Sequence, residues 1–281
     1  MAKQTTQQSR LPVGSADIIL ITLDTLRFDA AQWLWENGKL PNLAKYLPLF
    51  GWQKRHTPAS FTYAAHHAFL AGFLPTPDQP GVHERLFASA FSGSETSGAG
   101  TFLFTESSLP EALSQLGYQT ICIGGTGFFN PQNSLGRVLP SLFEESHWSP
   151  ELGVTDRQSE IHQVELLIQR MKLADPKPIF ALVNVAAIHQ PNWFYRELLP
   201  EQEQAQQTAL QPEQDDWWSH AASMVAVDKA LGRLFEFCKP RRSTYFIVCS
   251  DHGTAYGEDG YHGHRLAHPT VWDVPYAEFL I

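Results

Sequence analysis

Three unbroken apolar runs constrain this chain more than anything else in it. Asp17–Leu23 (DIILITL), Pro178–Val185 (PIFALVNV) and Thr244–Ser250 (TYFIVCS) are rich in aliphatic and β-branched residues without polar alternation. Strands of that kind are buried on both faces, as in a parallel sheet covered by helices on each side. A fourth run, Tyr118–Gly124 (YQTICIG), has the same character. Helical patterns lie between them. Ser108-Leu-Pro-Glu111 has the spacing of a capping box ahead of Ala112, Leu113 and Leu116, with Gly117 as the stop. Thr155 to Gln158 offers a second capping box before Ile161, Val164, Ile168 and Met171 at helical spacing. Ser219 to Cys238 predicts a helix with Met224, Val227, Leu231, Leu234 and Phe235 on its apolar side, ended by Pro240. The expected fold class is therefore α/β, with a mainly parallel central sheet and helices on both faces.

Composition narrows the partners. The 281 residues include 20 basic and 29 acidic side chains, a formal charge of −9, and 43% are hydrophobic, enough for a large core. No Lys/Arg run exceeds Arg241-Arg242, so the concentrated basic footprint of a nucleic-acid-binding surface is missing. The N-terminal MAKQTTQQSRLPVG is polar, and no run is long and apolar enough to predict a signal peptide or a membrane span. Cys122, Cys238 and Cys249 form no CxxC pair, and a cytoplasmic location is the simplest expectation. Residues 1–15 read as a polar tail and 16–281 as a single domain, with exposed insertions expected near 81–107 and 199–216.

In an open parallel sheet the ligand site lies beyond the carboxyl ends of the strands. The DIILITL run ends in Asp24, the PIFALVNV run in Asn184 and then His189, and the TYFIVCS run in Asp251-His252, with His262, His264 and His268 close behind. Mixed Asp and His donors suit one divalent ion such as Zn²⁺ or Mn²⁺. A lone Asp after a strand also serves as a helix cap, so Asp24 gains meaning only beside the others. The stretch from Thr57 to Gly72 predicts a loop entering a short helix, with Thr62 at its start. A hydroxyl there sits among free backbone N–H groups that favour an oxyanion, although Thr62 or Ser60 could equally be a simple N-cap. Arg27 and Arg265 are the cations nearest these residues in the chain, and arginine suits bidentate oxyanion contact. Gly124-Gly-Thr-Gly127 lacks the spacing of a nucleotide loop and reads as a turn.

Together, IILITLDTLRFD (Ile18–Asp29), TYAAHHAFLAG (Thr62–Gly72), N-x4-HQP (Asn184–Pro191) and SDHGTAYGEDGYHGH (Ser250–His264) resemble, in order, the alkaline phosphatase and sulfatase superfamily. The resemblance implies a three-layer sandwich, a metal held by Asp24, Thr62, Asp251 and His252, and catalysis by Thr62, His189 and His264. Arg27, Arg265 and Asn184 are the candidates for binding substrate. Two departures shape the expectation. Sulfatases place a formylglycine precursor in a C/S-x-P-S-R motif, but the matching positions here are Thr62-Tyr-Ala-Ala-His66, and a Thr cannot become formylglycine. They also begin with paired aspartates, where this chain has Asp24-Thr25. A Thr nucleophile instead matches the phosphodiesterase and phosphoethanolamine transferase relatives. The two-metal members carry an Asp four residues before the third-strand His, a place filled here by Val185, so one ion per chain is implied. The expected function is a metal-dependent hydrolase or transferase acting on a small anionic phosphate ester through a phospho-threonine. The alternatives are sulfate ester hydrolysis without formylglycine and a silent member that binds an anion or a partner.

Overall fold

The computed structural model describes residues 13–72, 87–88, 102–103, 108–174, 176–199 and 213–281. The first apolar run forms β1 (Asp17–Leu23), every residue of which is buried. It is the centre of a seven-stranded sheet that also holds β2 (Gln53–His56), β5 (Gln119–Ile123), β6 (Glu145–His147), β7 (Ile179–Val185), β8 (Thr244–Cys249) and β11 (Asp273–Leu280). The strand order is β2-β11-β8-β1-β7-β5-β6. Strands β8, β1, β7, β5 and β6 run parallel, while β11 is antiparallel to both β8 and β2. The two-residue strands β3 (Phe87–Ala88) and β4 (Phe102–Leu103) pair with each other, as do β9 (Ala255–Tyr256) and β10 (His262–Gly263).

Alternate residues of β1 feed two cores. Ile19 and Ile21 pack with α1 (Phe28–Glu36), α4 (Ser159–Ala174) and α5 (Trp217–Cys238) on one face. Ile18 and Leu20 pack on the other face with Leu70 of α2 (Thr62–Ala71) and Leu113 of α3 (Leu109–Gln115). Each fully buried aliphatic or aromatic side chain contributes about 1.5–3 kcal/mol, which makes these two faces the main source of stability. The expected α/β sandwich with a mainly parallel sheet is the observed fold. Among the described residues no helix is long and apolar enough to cross a membrane.

Local signals mostly hold. Ser108 caps α3 by accepting from the Glu111 amide at 3.3 Å, and Gly117 ends that turn at φ 88°. Two expectations need correction. Helix α4 starts at Ser159 rather than from a Thr155–Gln158 capping box, because the Asp156 carboxylate takes the Gln158 amide (2.8 Å) and turns the chain first. Its core face is Gln163, Val164, Leu167 and Met171, so Ile161 and Ile168 are only half-buried. Of the insertion expected near 199–216, only residues 199 and 213–216 are described. Leu199 is buried, Asp215 accepts from the Asn192 and Trp193 amides, and Asp216 caps α5 through a reciprocal box with Ser219. Residues 200–212, the tail to residue 12 and most of 81–107 lie outside the described residues.

Candidate active site

Parallel register brings the chemistry together. Thr22 of β1 lies opposite Asn184 of β7 and Cys249 of β8, so Asp24, the segment to His189, and Asp251-His252 leave the sheet side by side. Asp24, Asp251 and His252 are each 0% exposed, and a ligand atom from each lies within 4.8 Å of the others. Helix α2 aims its first turn at this point. Phe61 is the N-cap and no side chain caps the helix, which removes the reading of Thr62 or Ser60 as a cap. The Thr62 hydroxyl instead lies 3.4 Å from Asp24 Oδ2 and 3.3 Å from His252 Nε2.

The donor count of this cluster is the informative quantity. His252 Nδ1–H donates to the Gly253 carbonyl (2.9 Å), which leaves Nε2 as a bare lone pair. That lone pair faces Asp24 Oδ1 at 3.8 Å and Asp251 Oδ2 at 3.7 Å, two buried carboxylate oxygens that have no hydrogen-bond partner. Of these three acceptors, only His252 Nε2 has the Thr62 hydroxyl within hydrogen-bond distance. Burial, reinforced by the neighbouring Asp24 charge, pushes Asp251 well above the usual carboxylate range. Burial likewise depresses His252, against the pull of Asp24. Such a set of acceptors is costly in a dry interior unless a cation satisfies it, and two carboxylates with an imidazole are the donors a divalent metal takes. The residues present fit the ion that the sequence implies.

The surrounding backbone holds this arrangement under strain. Thr25 adopts φ 66°, rare for a β-branched residue, with its amide on Asp251 Oδ1 (3.2 Å) and its hydroxyl on the Ile188 carbonyl (3.3 Å). Ser250 Oγ donates to the Leu23 carbonyl at 2.7 Å, and Thr57 Oγ donates to the Asp251 carbonyl. At Gly253 a Cβ would lie 2.0 Å from the Thr270 carbonyl, so only glycine passes there.

Asn184 is buried and fully committed, which corrects its expected contact with substrate. Its Nδ2 donates to Asp24 Oδ2 (2.9 Å), and its Oδ1 accepts from the Gly125 and Thr126 amides (3.2 Å each). It orients a carboxylate, and the glycine-rich turn exists to meet it. Arg27 is corrected in the same way. Its guanidinium, 3% exposed as a residue, makes a bidentate pair with Asp29 (2.8 and 2.7 Å), bonds Glu258, and reaches the Thr254 carbonyl at 3.4 Å. It ties α1 to the last loop and has little capacity left for an anion.

The histidines sort themselves. The His264 ring lies 4.6 Å from that of His252 and 5.7 Å from that of His189, centroid to centroid. His264 Nδ1 is buried with no partner, and burial together with His252 and His189 pushes the ring down to about 4. His189 Nδ1 donates to the Gln190 carbonyl at 2.6 Å, leaving Nε2 available. By contrast His262 is exposed on β10, and His268 caps the last helix and meets Asp259 at 3.0 Å. Arg265 is exposed beside His264, and among the described residues no carboxylate pairs with it.

One site neighbour was missed by sequence reasoning. His66, 0% exposed on α2, donates from Nδ1 to the Thr62 carbonyl (2.8 Å) and takes the Thr22 hydroxyl on Nε2 (2.9 Å). Burial pushes it down to about 4. Thr22 in turn contacts Asn184 at 3.5 Å, so a buried polar chain links the Thr62 helix to Asp24. Its signal was visible only as a histidine standing where the sulfatase motif has its arginine.

A helix-borne hydroxyl facing buried Asp, Asp and His at the carboxyl edge of a parallel sheet defines a class that comparison identifies. The family model described as Sulfatase matches residues 16–278, and the chain belongs to that family. No curated protein matches it in sequence. Among solved structures it is similar to the C-terminal periplasmic domain of phosphoethanolamine transferase EptC from Campylobacter jejuni: 13% identity, TM-score 0.62, covering 95% of this chain and 79% of that one. It is also similar to the soluble domain of lipooligosaccharide phosphoethanolamine transferase A from Neisseria meningitidis, at 13% identity and TM-score 0.62, covering 96% and 78%. A zinc complex of the C-terminal periplasmic domain of EptC from Escherichia coli matches at 15% identity and TM-score 0.60, covering 93% and 72%. At these identities the likeness establishes the alkaline-phosphatase-like fold.

Proposed function

We propose that this protein is a divalent-metal-dependent phosphoester hydrolase or phosphotransferase with Thr62 as nucleophile. The observation that carries the reading is the Thr62 hydroxyl held 3.4 Å and 3.3 Å from Asp24 and His252 inside a buried cluster short of donors. The zinc complex of a structural neighbour, and the phosphoethanolamine transferases among those neighbours, support it. Asp24, Asp251, His252 and the Thr62 oxygen would hold the ion. When bound, such an ion lowers the pKa of the Thr62 hydroxyl and neutralises developing oxyanion charge.

The residues then divide the reaction. The Thr62 alkoxide attacks phosphorus, forming a phospho-threonine as the bond to the leaving oxygen breaks. The N–H groups at the start of α2 offer the transferred group its oxyanion contacts. His264, kept neutral by burial, donates an N–H to a phosphoryl oxygen. The proton lost by Thr62 passes to solvent, and His189, protonated on Nε2 as well as Nδ1, supplies a proton to the leaving oxygen. Arg265 faces the anion from the rim. Water or another acceptor then releases Thr62 by the reverse geometry.

Metal content and turnover test this reading together. Protein purified without chelator should carry about one zinc or manganese per chain by elemental mass spectrometry, and Asp251→Ala with His252→Ala should lose it. Thr62→Ala should abolish release of p-nitrophenol from its phosphate and covalent labelling by the substrate; retained turnover removes Thr62 from the mechanism. Because the matching family model is that of the sulfatases, a second reading is direct sulfate ester hydrolysis, which p-nitrophenyl sulfate assayed in parallel distinguishes.

A further inference from the structure

We infer that the wall beside Thr62 is a subsite for a planar aromatic group, so that the esters this site prefers are aryl phosphates or phosphonates. The inference rests on the phosphoester reading above. Three loops, each at the carboxyl end of a sheet strand or the start of α2, contribute one side chain to this wall. Phe61, immediately before Thr62, has extended backbone (φ −162°, ψ 155°) and is only half-buried. Phe128, on the turn after β5, lies 6.3 Å from the Phe61 ring. Arg265 sets its guanidinium 5.6 Å over the Phe61 ring.

Packing accounts for only part of these positions: Phe128 rests on the edge of the second core, 5.4 Å from the Tyr63 ring, and keeps exposed area. Phe129, the neighbour of Phe128, is 1% exposed and fills the core against His66, while Phe128 is only half-buried. Arg265 pays a conformational cost to be where it is: φ 69° is uncommon for a residue without special αL tolerance. A hydrogen bond from its amide to the Ser60 carbonyl (2.9 Å) fixes the His264-Arg265 turn onto the loop that delivers Thr62. Strain held in place by a contact to the nucleophile loop belongs to a functional edge rather than to an idle surface turn. Arg27 differs in kind from Arg265, since it is bound to Asp29 and Glu258.

The chemistry of this wall selects its ligand. A half-exposed phenyl ring offers a face to an arene, and a guanidinium above such a ring adds a cation for the anionic end of the same molecule. The ester oxygen would sit between them, next to Thr62. An alkyl group of equal size gains burial but neither ring–ring geometry nor the cationic face, so the discrimination expected from one aromatic pair is roughly five- to tenfold.

Non-hydrolysable probes test this without a leaving-group effect. Zinc-loaded full-length protein is titrated calorimetrically with phenylphosphonate, methylphosphonate and inorganic phosphate. Phenylphosphonate should bind roughly five- to tenfold more tightly than methylphosphonate. Phe61→Leu and Phe128→Leu, on separate loops and both retaining apolar bulk, should each reduce that ratio while leaving phosphate affinity and the thermal midpoint near wild type. Arg265→Ala should weaken all three probes. Equal affinity for the two phosphonates, or an aryl preference unchanged in the Phe61→Leu, Phe128→Leu double variant, overturns the subsite and leaves the phosphoester reading standing. Failure of all three probes to bind, with no turnover of an aryl phosphate, overturns both.

Discussion

Strand β1 has a buried carboxylate at either end, Asp17 and Asp24, and the two are treated differently. At the amino end, Asp17 accepts the Ile179 amide at 2.9 Å and faces Arg241 and Arg242 at 3.7 Å each. Burial still raises its pKa, but the amide and both arginines pull it back. At the carboxyl end, Asp24 and Asp251 face one another and a bare imidazole nitrogen, and among the described residues no Lys or Arg pairs with either. At the amino end the charge is compensated by arginines, although Asp17 Oδ2, like Asp24 Oδ1, lacks a hydrogen-bond partner. The carboxyl end is left electrostatically open, and an open carboxylate pair in a dry interior is the mark of something that binds there.

The largest expected effect separates binding from chemistry at the open end. Thr62→Ala leaves Asp24, Asp251 and His252 in place, so zinc stoichiometry and folding should persist while kcat falls by about 10³-fold or more. A variant that lost both metal and activity would mean that the hydroxyl is itself indispensable to the ion. Next comes the polar chain that runs from Thr62 through His66 and Thr22 toward Asp24. His66→Ala removes both of its ends, and a loss of about 10- to 100-fold in zinc affinity or kcat is expected from such an outer contact. His66→Gln, which can restore one end, should recover part of it; a variant with unaltered zinc affinity and kcat would show the chain to be mere packing.

Stability measurements test the comparison directly. Asp17→Ala should cost about 1–3 kcal/mol, with or without zinc, because it leaves the buried Ile179 amide without an acceptor and takes the carboxylate away from two arginines. Asp251→Asn should do the opposite in chelator-treated protein, raising the thermal midpoint by relieving repulsion with Asp24. In excess zinc the wild type should gain about 2.7 kcal/mol at a hundredfold excess over Kd, a gain the Asp251→Asn variant should largely lack. If both substitutions destabilised the chelated protein equally, the two ends of β1 would be alike after all.

The parts of this contrast that the sequence displays are those written in local pattern. Apolar runs mark β1, β5, β7 and β8, and the polar residues that follow them mark Asp24, Asp251 and His252, because in-register parallel strands must release their ends together. What stays hidden depends on partners far apart in the chain. Arg27 looked free until Glu258 and Asp29 closed on it, and Asn184 looked like a substrate ligand until the Gly125 and Thr126 amides used its oxygen. His66 carried no pattern, since its role is defined by the carbonyl one turn before it and by a hydroxyl on another strand. Edge strands β2 (QKRH) and β6 (ESH) are short and polar, and sheet pairing alone defines them.

The smallest effect is a pair of pH slopes of opposite sign. Burial holds His220 down to about 3, with Arg27 opposing its protonation and Asp29 favouring it, so the folded protein keeps it neutral where the unfolded chain protonates it below about 6.5. The stability tied to His220 is therefore fully present above about pH 6.5 and is lost as pH falls toward 3, since the unfolded state binds more protons in that window. Asp251 acts the other way. With a folded pKa raised well above the ordinary carboxylate value, it contributes stability at low pH that is lost as pH rises through the raised value. In chelator-treated protein, urea midpoints measured from pH 8 to pH 4 should fall on acidification, less steeply in His220→Gln and more steeply in Asp251→Asn. Saturating zinc should remove the Asp251 slope, because a bound cation keeps that carboxylate ionised at every pH where it stays bound. An Asp251→Asn profile parallel to wild type would mean that its charge is already compensated within the chain.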